Sequence, residues 1–271
     1  MSDFDRNVAA AKWGRPLTRA ETTVIDAGLR SYMLRIYNYM VLGLAITGFA
    51  ALGVYMLSVT GDPASAVRSA TGGALAIRSG QYLTPIGYAL FVSPLKWAVI
   101  LAPLALVFLF SFRIDSMRPA TAQVTFWIFS ALIGTSLGSI FLVYTHTSIV
   151  RVFFITAASF GALSLWGYTT QRDLSGMASF LIMGLFGVII ASLVNLFLAS
   201  SALQFVVSVV GVLVFAGLTA WDTQRLKSQY LYGAMEGEVL EKSAIMGALS
   251  LYLNFINLFT LLLQLMGQRD Q

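Results

Sequence analysis

The chain has 271 residues, of which 58% are hydrophobic and only 11% are charged, and its net charge is +5. Soluble domains usually carry about 25% charged residues, and the mean hydropathy of this chain is +0.79. The composition therefore excludes a soluble globular domain and indicates an integral membrane protein. Because there is no cysteine, disulfides, thiol catalysis and cysteine-based metal sites are excluded as well.

Seven apolar stretches, each close to the roughly 20 residues that a spanning helix needs, follow one another along the chain. They lie near residues 36–59, 95–112, 122–144, 149–169, 177–199, 203–221 and 245–266. We therefore predict an all-α integral membrane protein, with a polar N-terminal tail over residues 1–35 and a seven-helix membrane domain over residues 36–267. Two connections are longer than the others. The pattern predicts a flexible Gly- and Ser-rich loop over 60–84 and a solvated amphipathic linker over 223–244.

The distribution of lysine and arginine predicts the orientation of the chain. If the N-terminus is cytoplasmic, twelve of the seventeen basic residues fall in inner segments and five in outer segments. The positive-inside rule then favours a cytoplasmic N-terminus and an outside C-terminus. These charges are scattered over separate segments without interleaved aromatic residues, which argues against a nucleic-acid partner. The inner set is Arg6, Lys12, Arg15, Arg19, Arg30, Arg35, Arg113, Arg118, Arg172, Arg225, Lys227 and Lys242.

Enzymatic chemistry finds little support in the sequence. The run Gly134-Thr-Ser-Leu-Gly138 matches a serine-nucleophile pattern, but it lies inside a predicted helix rather than at a strand-to-helix elbow. The single histidine, His146, is ten residues further on, about 15 Å along a helix. We expect neither an enzyme nor a bound cofactor, and we attribute the small residues of this run to close helix packing.

Three polar residues stand out in the last two apolar stretches. Asp222 lies near the end of the sixth, and Asn254 and Asn257 lie three residues apart in the seventh, so that both amides face one side of the helix. Antiparallel packing of these helices brings Asp222 and Asn254 to similar depth. One reading of Asp222 is an interfacial acid that Arg225 satisfies from the next turn. The other is a functional carboxylate, because intramembrane acids usually mark ion paths.

These residues lie in runs that resemble a known family. The run ALSLYLNFINLF, preceded by GLTAWDTQRLK, and the stretch FITAASFGALSLWGYTTQRDLSGMASFLIMGLFGVIIASLVNLF are similar to the Bax-inhibitor family, also called the transmembrane Bax inhibitor motif proteins. The likeness covers about residues 30–267 and leaves out the tail and the 60–84 loop.

The resemblance implies a multi-pass protein of the bacterial inner membrane in which six helices surround the C-terminal seventh. It also implies a pH-sensitive calcium leak, gated by two aspartates that share a proton and by an arginine near the second helix. The first aspartate corresponds to Asp222, but the second position holds Asn254. The arginine corresponds to Arg118 or Arg113, and counting back from the third span slightly favours Arg118.

The change from aspartate to Asn254 has a physical consequence. An asparagine cannot titrate, yet it can donate a hydrogen bond to the Asp222 carboxylate. We therefore expect a pH gate that is weaker, or displaced to lower pH, than a gate with two acids. Calcium prefers six to eight oxygens with several carboxylates, so one acid with amides predicts only a weak transit site. The alternative prediction is a non-conducting partner of a membrane-bound AAA protease that recognises the N-terminal tail.

Overall fold

The computed structural model describes residues 19–68, 73–78, 80–232 and 236–270, and α-helices dominate those ranges. The predicted tail residues Arg6, Lys12 and Arg15 lie outside the described residues. The helices, in chain order, are α1 (Arg19–Ser58), α2 (Pro85–Phe91), α3 (Leu95–Arg113), α4 (Pro119–Leu137), α5 (Ile140–Val143), α6 (His146–Thr169), α7 (Ser175–Leu198), α8 (Ser201–Tyr232) and α9 (Gly237–Met266).

The described part of the chain contains seven segments that are long and apolar enough to span a membrane, which confirms the predicted number. Large apolar side chains such as Phe112 and Phe197 are exposed on their surfaces, as expected of helices that face lipid. The segments are Ile25–Ser58, Leu95–Arg113, Pro119–Val143, His146–Thr169, Ser175–Leu198, Ser201–Leu231 and Gly237–Met266.

Several helix ends differ from the predicted ones. Helix α1 already begins at Arg19, inside the predicted tail, and the boundary of the membrane domain at residue 35 stays a prediction. The predicted linker over 223–244 is wrong, because α8 continues to Tyr232 and α9 begins at Gly237. Polar and charged residues in this region lower the hydropathy, but Thr223, Gln224 and Lys227 are buried in α8, and their hydrogen bonds support the continued helix. Asp222 therefore lies ten residues inside α8 rather than near its end.

The structure divides into two compact units. The first comprises the described parts of Met1–Met40 and Ser148–Gly267. In this unit α8 packs against both α7 and α9. In the most apolar window of α9, 67% of the residues are buried, the highest share among the seven spans of the described chain. The arrangement of six helices around α9 stays a prediction.

The second unit comprises the described parts of Val41–Thr147 and Gln268–Gln271, and it contains a small antiparallel sheet. The prediction of a flexible loop over 60–84 is wrong, because this region contains short strands. They are β1 (Val59–Thr60), β2 (Ala76–Arg78) and β3 (Gln81–Leu83), and they pair in the order β1-β3-β2. Gly80, at φ +75°, provides the tight turn between β2 and β3. Strands of two or three residues are too short to stand out from the Gly- and Ser-rich composition around them.

Close packing at Gly134 connects α1 and α4 within the second unit. A Cβ atom at Gly134 would lie 2.4 Å from the backbone oxygen of Thr47 and 2.7 Å from the Cβ of Ala50. The Thr47 hydroxyl donates to the backbone oxygen of Ser130 at 2.9 Å, which holds the two helices together at this level. The structure therefore supports the packing interpretation of the small residues at 134–138.

We predict that Gly134→Ala destabilises the protein by about 1–3 kcal/mol, because the methyl group forces two backbones apart. Gly48→Ala is the matched control, since nothing lies within 4 Å of a Cβ at Gly48. Thermal unfolding in detergent measures both. Equal melting temperatures for the two variants would contradict the packing role of Gly134.

Candidate functional site

The candidate site is centred on the Asp222 carboxylate, which is only 4% exposed in the interior of α8. Its Oδ2 atom accepts a hydrogen bond from the Asn254 Nδ2 atom at 2.7 Å and another from the Ser250 hydroxyl at 2.8 Å. Both donors are on α9, one turn apart. The structure thus brings Asp222 and Asn254 together, as the predicted antiparallel packing required.

A close approach of the two helices makes these bonds possible. Gly247 lies on α9, three residues before Ser250, and a Cβ atom there would lie 2.7 Å from the Leu226 side chain of α8. The glycine lets Leu226 pack almost against the α9 backbone. As a result, the short serine and asparagine side chains reach the carboxylate directly.

The second oxygen of Asp222 faces a cation on its own helix. The Arg225 Nη2 atom lies 2.7 Å from Oδ1, three residues along α8. The contact is an ion pair without hydrogen-bond geometry, so Oδ1 has no hydrogen-bond donor among the described residues. The Arg225 side chain is 38% exposed, and its Cζ atom lies 4.9 Å from the centre of the Trp221 ring. The prediction that Arg225 is the partner of Asp222 therefore accounts for Oδ1, whereas Oδ2 is bonded to residues of α9.

The neighbouring residues of the Trp221-Asp-Thr-Gln-Arg-Leu-Lys run fix α8 against the end of α6 and the α6–α7 connection. The Gln224 side chain accepts from the Leu174 backbone N–H at 2.7 Å and donates to the Arg172 backbone oxygen at 2.8 Å. Lys227, 5% exposed, donates to the Tyr168 backbone oxygen at 3.0 Å. The side chains of Gln224 and Lys227 thus form hydrogen bonds with backbone atoms of neighbouring segments. The prediction that Arg225 and Lys227 lie in a solvated loop is therefore wrong.

The same α6–α7 connection contains Asp173, which lies outside the spans. Its Oδ1 atom accepts from the Ser175 backbone N–H at 2.9 Å. This bond and a second one from the Ser175 side chain hold the pKa of Asp173 below its ordinary value. The carboxylate is therefore kept ionised at the start of α7, where negative charge is favoured.

A chain of hydroxyl groups supports the other side of α8. The Thr223 hydroxyl donates to the Thr219 backbone oxygen at 2.8 Å and lies 2.9 Å from the Ser164 hydroxyl. Ser164 in turn lies 2.6 Å from the Tyr37 hydroxyl of α1. Three helices of the first unit are thereby held in register beside Asp222.

The remaining predicted site residues are placed differently. Asn257 is half-buried and donates to the Leu253 backbone oxygen of its own helix at 2.8 Å, so its amide does not join the Asp222 cluster. Arg113 is the last residue of α3 and Arg118 immediately precedes α4, and both are exposed. They belong to the second unit, and the arginine latch stays a prediction for either one.

Ser250 was missed by the sequence analysis. It lies four residues before Asn254, and this spacing puts the two side chains on one face of α9. That spacing was the available signal, but serine is common in membrane helices as a packing residue and does not stand out.

Comparison with known proteins identifies the family. The family described as inhibitor of apoptosis-promoting Bax1 matches residues 29–271. The chain belongs to the Bax-inhibitor family. It is 44% identical to an uncharacterized protein of Rickettsia prowazekii, over 93% of this chain and 95% of the relative. It is 43% identical to an uncharacterized protein of Caulobacter vibrioides, over 98% of each chain.

A further relative has a name that states its location. The chain is 42% identical to the inner membrane protein YbhL of Escherichia coli, over 90% of this chain and 94% of the relative. Together with the seven spans of the described residues, this likeness identifies a multi-pass membrane protein of the Bax-inhibitor family.

We predict that Asn254→Leu lowers the free energy of unfolding by about 1–2 kcal/mol, because a buried carboxylate oxygen loses one of its two donors. Asn257→Leu is the control, since it makes the same change three residues away without touching Asp222. Unfolding titrations in mixed detergent micelles measure the difference. If both variants are equally stable, the Asn254 bond contributes nothing measurable to the fold.

Proposed function

We propose that this protein is a pH-modulated cation leak channel of the bacterial inner membrane, with calcium as the ion that the family resemblance implies. The observation that carries the proposal is a carboxylate, 4% exposed, in the interior of a membrane-spanning helix, bonded to an amide on the last helix. A charge at such a position costs several kcal/mol unless it has partners, and intramembrane acids therefore usually serve ions or protons.

The composition of the site suits passage rather than storage. One carboxylate, one amide and one hydroxyl group supply far fewer charged oxygens than a tight calcium site needs. A leak requires weak binding, because an ion that binds tightly does not leave. The Asp222 cluster is therefore a transit point in this proposal.

The pH response follows from the single acid. A pair of aspartates shares a proton and titrates as a unit, whereas here the amide of Asn254 keeps its protons at every pH. Of Asp222 and Asn254, only Asp222 can therefore gain or lose a proton in this proposal. We therefore expect a pH dependence that is weaker, or displaced to lower pH, than that of a two-acid site.

Calcium flux into proteoliposomes across a pH series tests this function, with wild type, Asn254→Asp and Asp222→Asn compared at matched protein density. We expect the wild type to leak and Asn254→Asp to gain a pH response or shift it towards neutrality, since it restores two acids. Asp222→Asn removes the last titratable group of the pair and should abolish the response. A steep response near neutrality that survives Asp222→Asn would contradict the mechanism.

A truncation separates the leak from the alternative of a protease partner. Removal of residues 2–18 leaves the described start of α1 intact, whereas a deletion to residue 30 also removes Gly28 and Leu29, which pack in the first unit. A leak tolerates the shorter deletion. If no variant conducts and the truncated protein becomes long-lived in cells, the protease-partner function replaces the leak.

We also propose that the N-terminus is cytoplasmic and the C-terminus outside, on the distribution of Lys and Arg. Fusions at the C-terminus measure this. Alkaline phosphatase attached after residue 271 should be active and a fluorescent protein there should be dark. The reverse pattern contradicts the proposed orientation.

A further inference from the structure

We propose that the residues directly after α9 form a clasp that regulates the leak: the fastened clasp restrains α9, and its release increases the flux. The clasp consists of Arg78, Val143–Thr145 and Gln268–Asp270, all of which belong to the second unit. The proposal rests on the proposed leak function and adds a means of regulating it.

Residues 268–270 pair with the connection between α5 and α6 as a short antiparallel strand. Tyr144 and Arg269 oppose one another in an isolated bridge. Two hydrogen bonds flank this bridge, one from the backbone N–H of Thr145 at 3.1 Å and one from the backbone N–H of Asp270 at 3.0 Å. The chain after α9 is therefore fixed by backbone hydrogen bonds on both sides of Arg269.

A cation fastens this strand from the β2 side. The Arg78 side chain is only 14% exposed, and its Nη1 atom lies 2.6 Å from the Asp270 Oδ2 atom. Its Nη2 atom donates to the Leu142 backbone oxygen at 3.0 Å, and its Nε atom is buried without an acceptor among the described residues. Because the carbonyl is neutral, Asp270 supplies the negative charge that this guanidinium needs. Loss of Asp270 from the pair leaves a buried charge uncompensated, so the pair favours the fastened state.

The clasp acts on the candidate site through α9, which runs without interruption over Gly237–Met266 and ends directly before it. Ser250 and Asn254 of this helix donate to Oδ2 of Asp222. A helix shifts as one element, so movement of its last turn is transmitted to Asn254, about 18 Å away along the helix. Release of the clasp therefore lets these donors leave Asp222, and Oδ2 then becomes accessible to a cation.

A disulfide across the clasp tests the proposal, because the chain contains no cysteine that could compete. Tyr144 and Arg269 lie opposite one another as a non-hydrogen-bonded pair, whose Cα atoms are about 4.5 Å apart and suit a disulfide. The variant Tyr144→Cys/Arg269→Cys is reconstituted, oxidised with diamide and assayed for calcium flux before and after reduction. We expect the oxidised form to leak at least about threefold less than the reduced form of the same protein.

Two substitutions test the opposite direction. Arg78→Gln and Asp270→Asn each remove one charge of the clasp and should raise the calcium flux at least about threefold. Asp270 is 36% exposed, so its variant keeps the test informative if Arg78→Gln folds poorly. Arg68→Gln is the matched control, since it removes the same charge from an exposed residue that also lies between β1 and β3. The control should leave the flux unchanged.

The outcomes separate the clasp from the leak itself. The clasp is wrong if the wild type conducts but oxidation leaves the flux of the cysteine pair unchanged or raises it, or if the disulfide does not form. It is also wrong if neither Arg78→Gln nor Asp270→Asn raises the flux, or if Arg68→Gln raises it equally; in all these cases the leak remains. If no protein conducts, the leak function falls, and its regulation falls with it.

Discussion

The burial of one carboxylate is the constraint on which the first unit depends. A charge inside a spanning helix is tolerated only when protein groups replace its water. Asp222 receives two donors on Oδ2 and a guanidinium beside Oδ1. This solution requires α8 and α9 to approach closely, and Gly247 permits the approach by leaving room for Leu226. The identity of several residues on both helices therefore follows from a single acid.

Asn254 changes the nature of this site more than its shape. An asparagine is close in size to a protonated aspartic acid, but because a carboxylate can only accept hydrogen bonds, the amide must turn its nitrogen towards Asp222. The 2.7 Å contact from Nδ2 to Oδ2 fits this requirement. In a two-acid pair the proton can leave, and repulsion between the charges then separates the acids. An asparagine has no proton to lose in this way, so its hydrogen bond to Asp222 does not depend on the charge of a second acid.

The sequence predicted much of this arrangement because the decisive signals were local. Long apolar stretches predicted seven spans, and single polar residues within them drew attention to Asp222 and Asn254. The ends of α8 and α9 were not predictable in this way. A hydropathy window predicts that Gln224 and Lys227 are solvated, because both are polar. In the structure they are hydrogen-bonded to the backbone of Arg172, Leu174 and Tyr168. The partnership of Arg225 with Asp222 was predictable, because the two residues lie one turn apart on the same helix, and the ion pair agrees with that spacing.

The polar groups around Asp222 fall into two kinds, and the difference indicates where the site can change. Gln224 and Lys227 bond to backbone atoms of the α6–α7 connection and of α6, so these bonds tie α8 to its neighbours. Thr223 bonds to the backbone of α8 itself. Arg225 is held by the charge of Asp222, by the face of the Trp221 ring and by a long hydrogen bond of 3.4 Å that it donates to the Ser250 hydroxyl. The first two attractions depend little on direction and tolerate rotation of the side chain. The Arg225 side chain is also 38% exposed, whereas Asn254 is buried. A change in the charge of the site is therefore available through one side chain, without any rearrangement of the helices that enclose it.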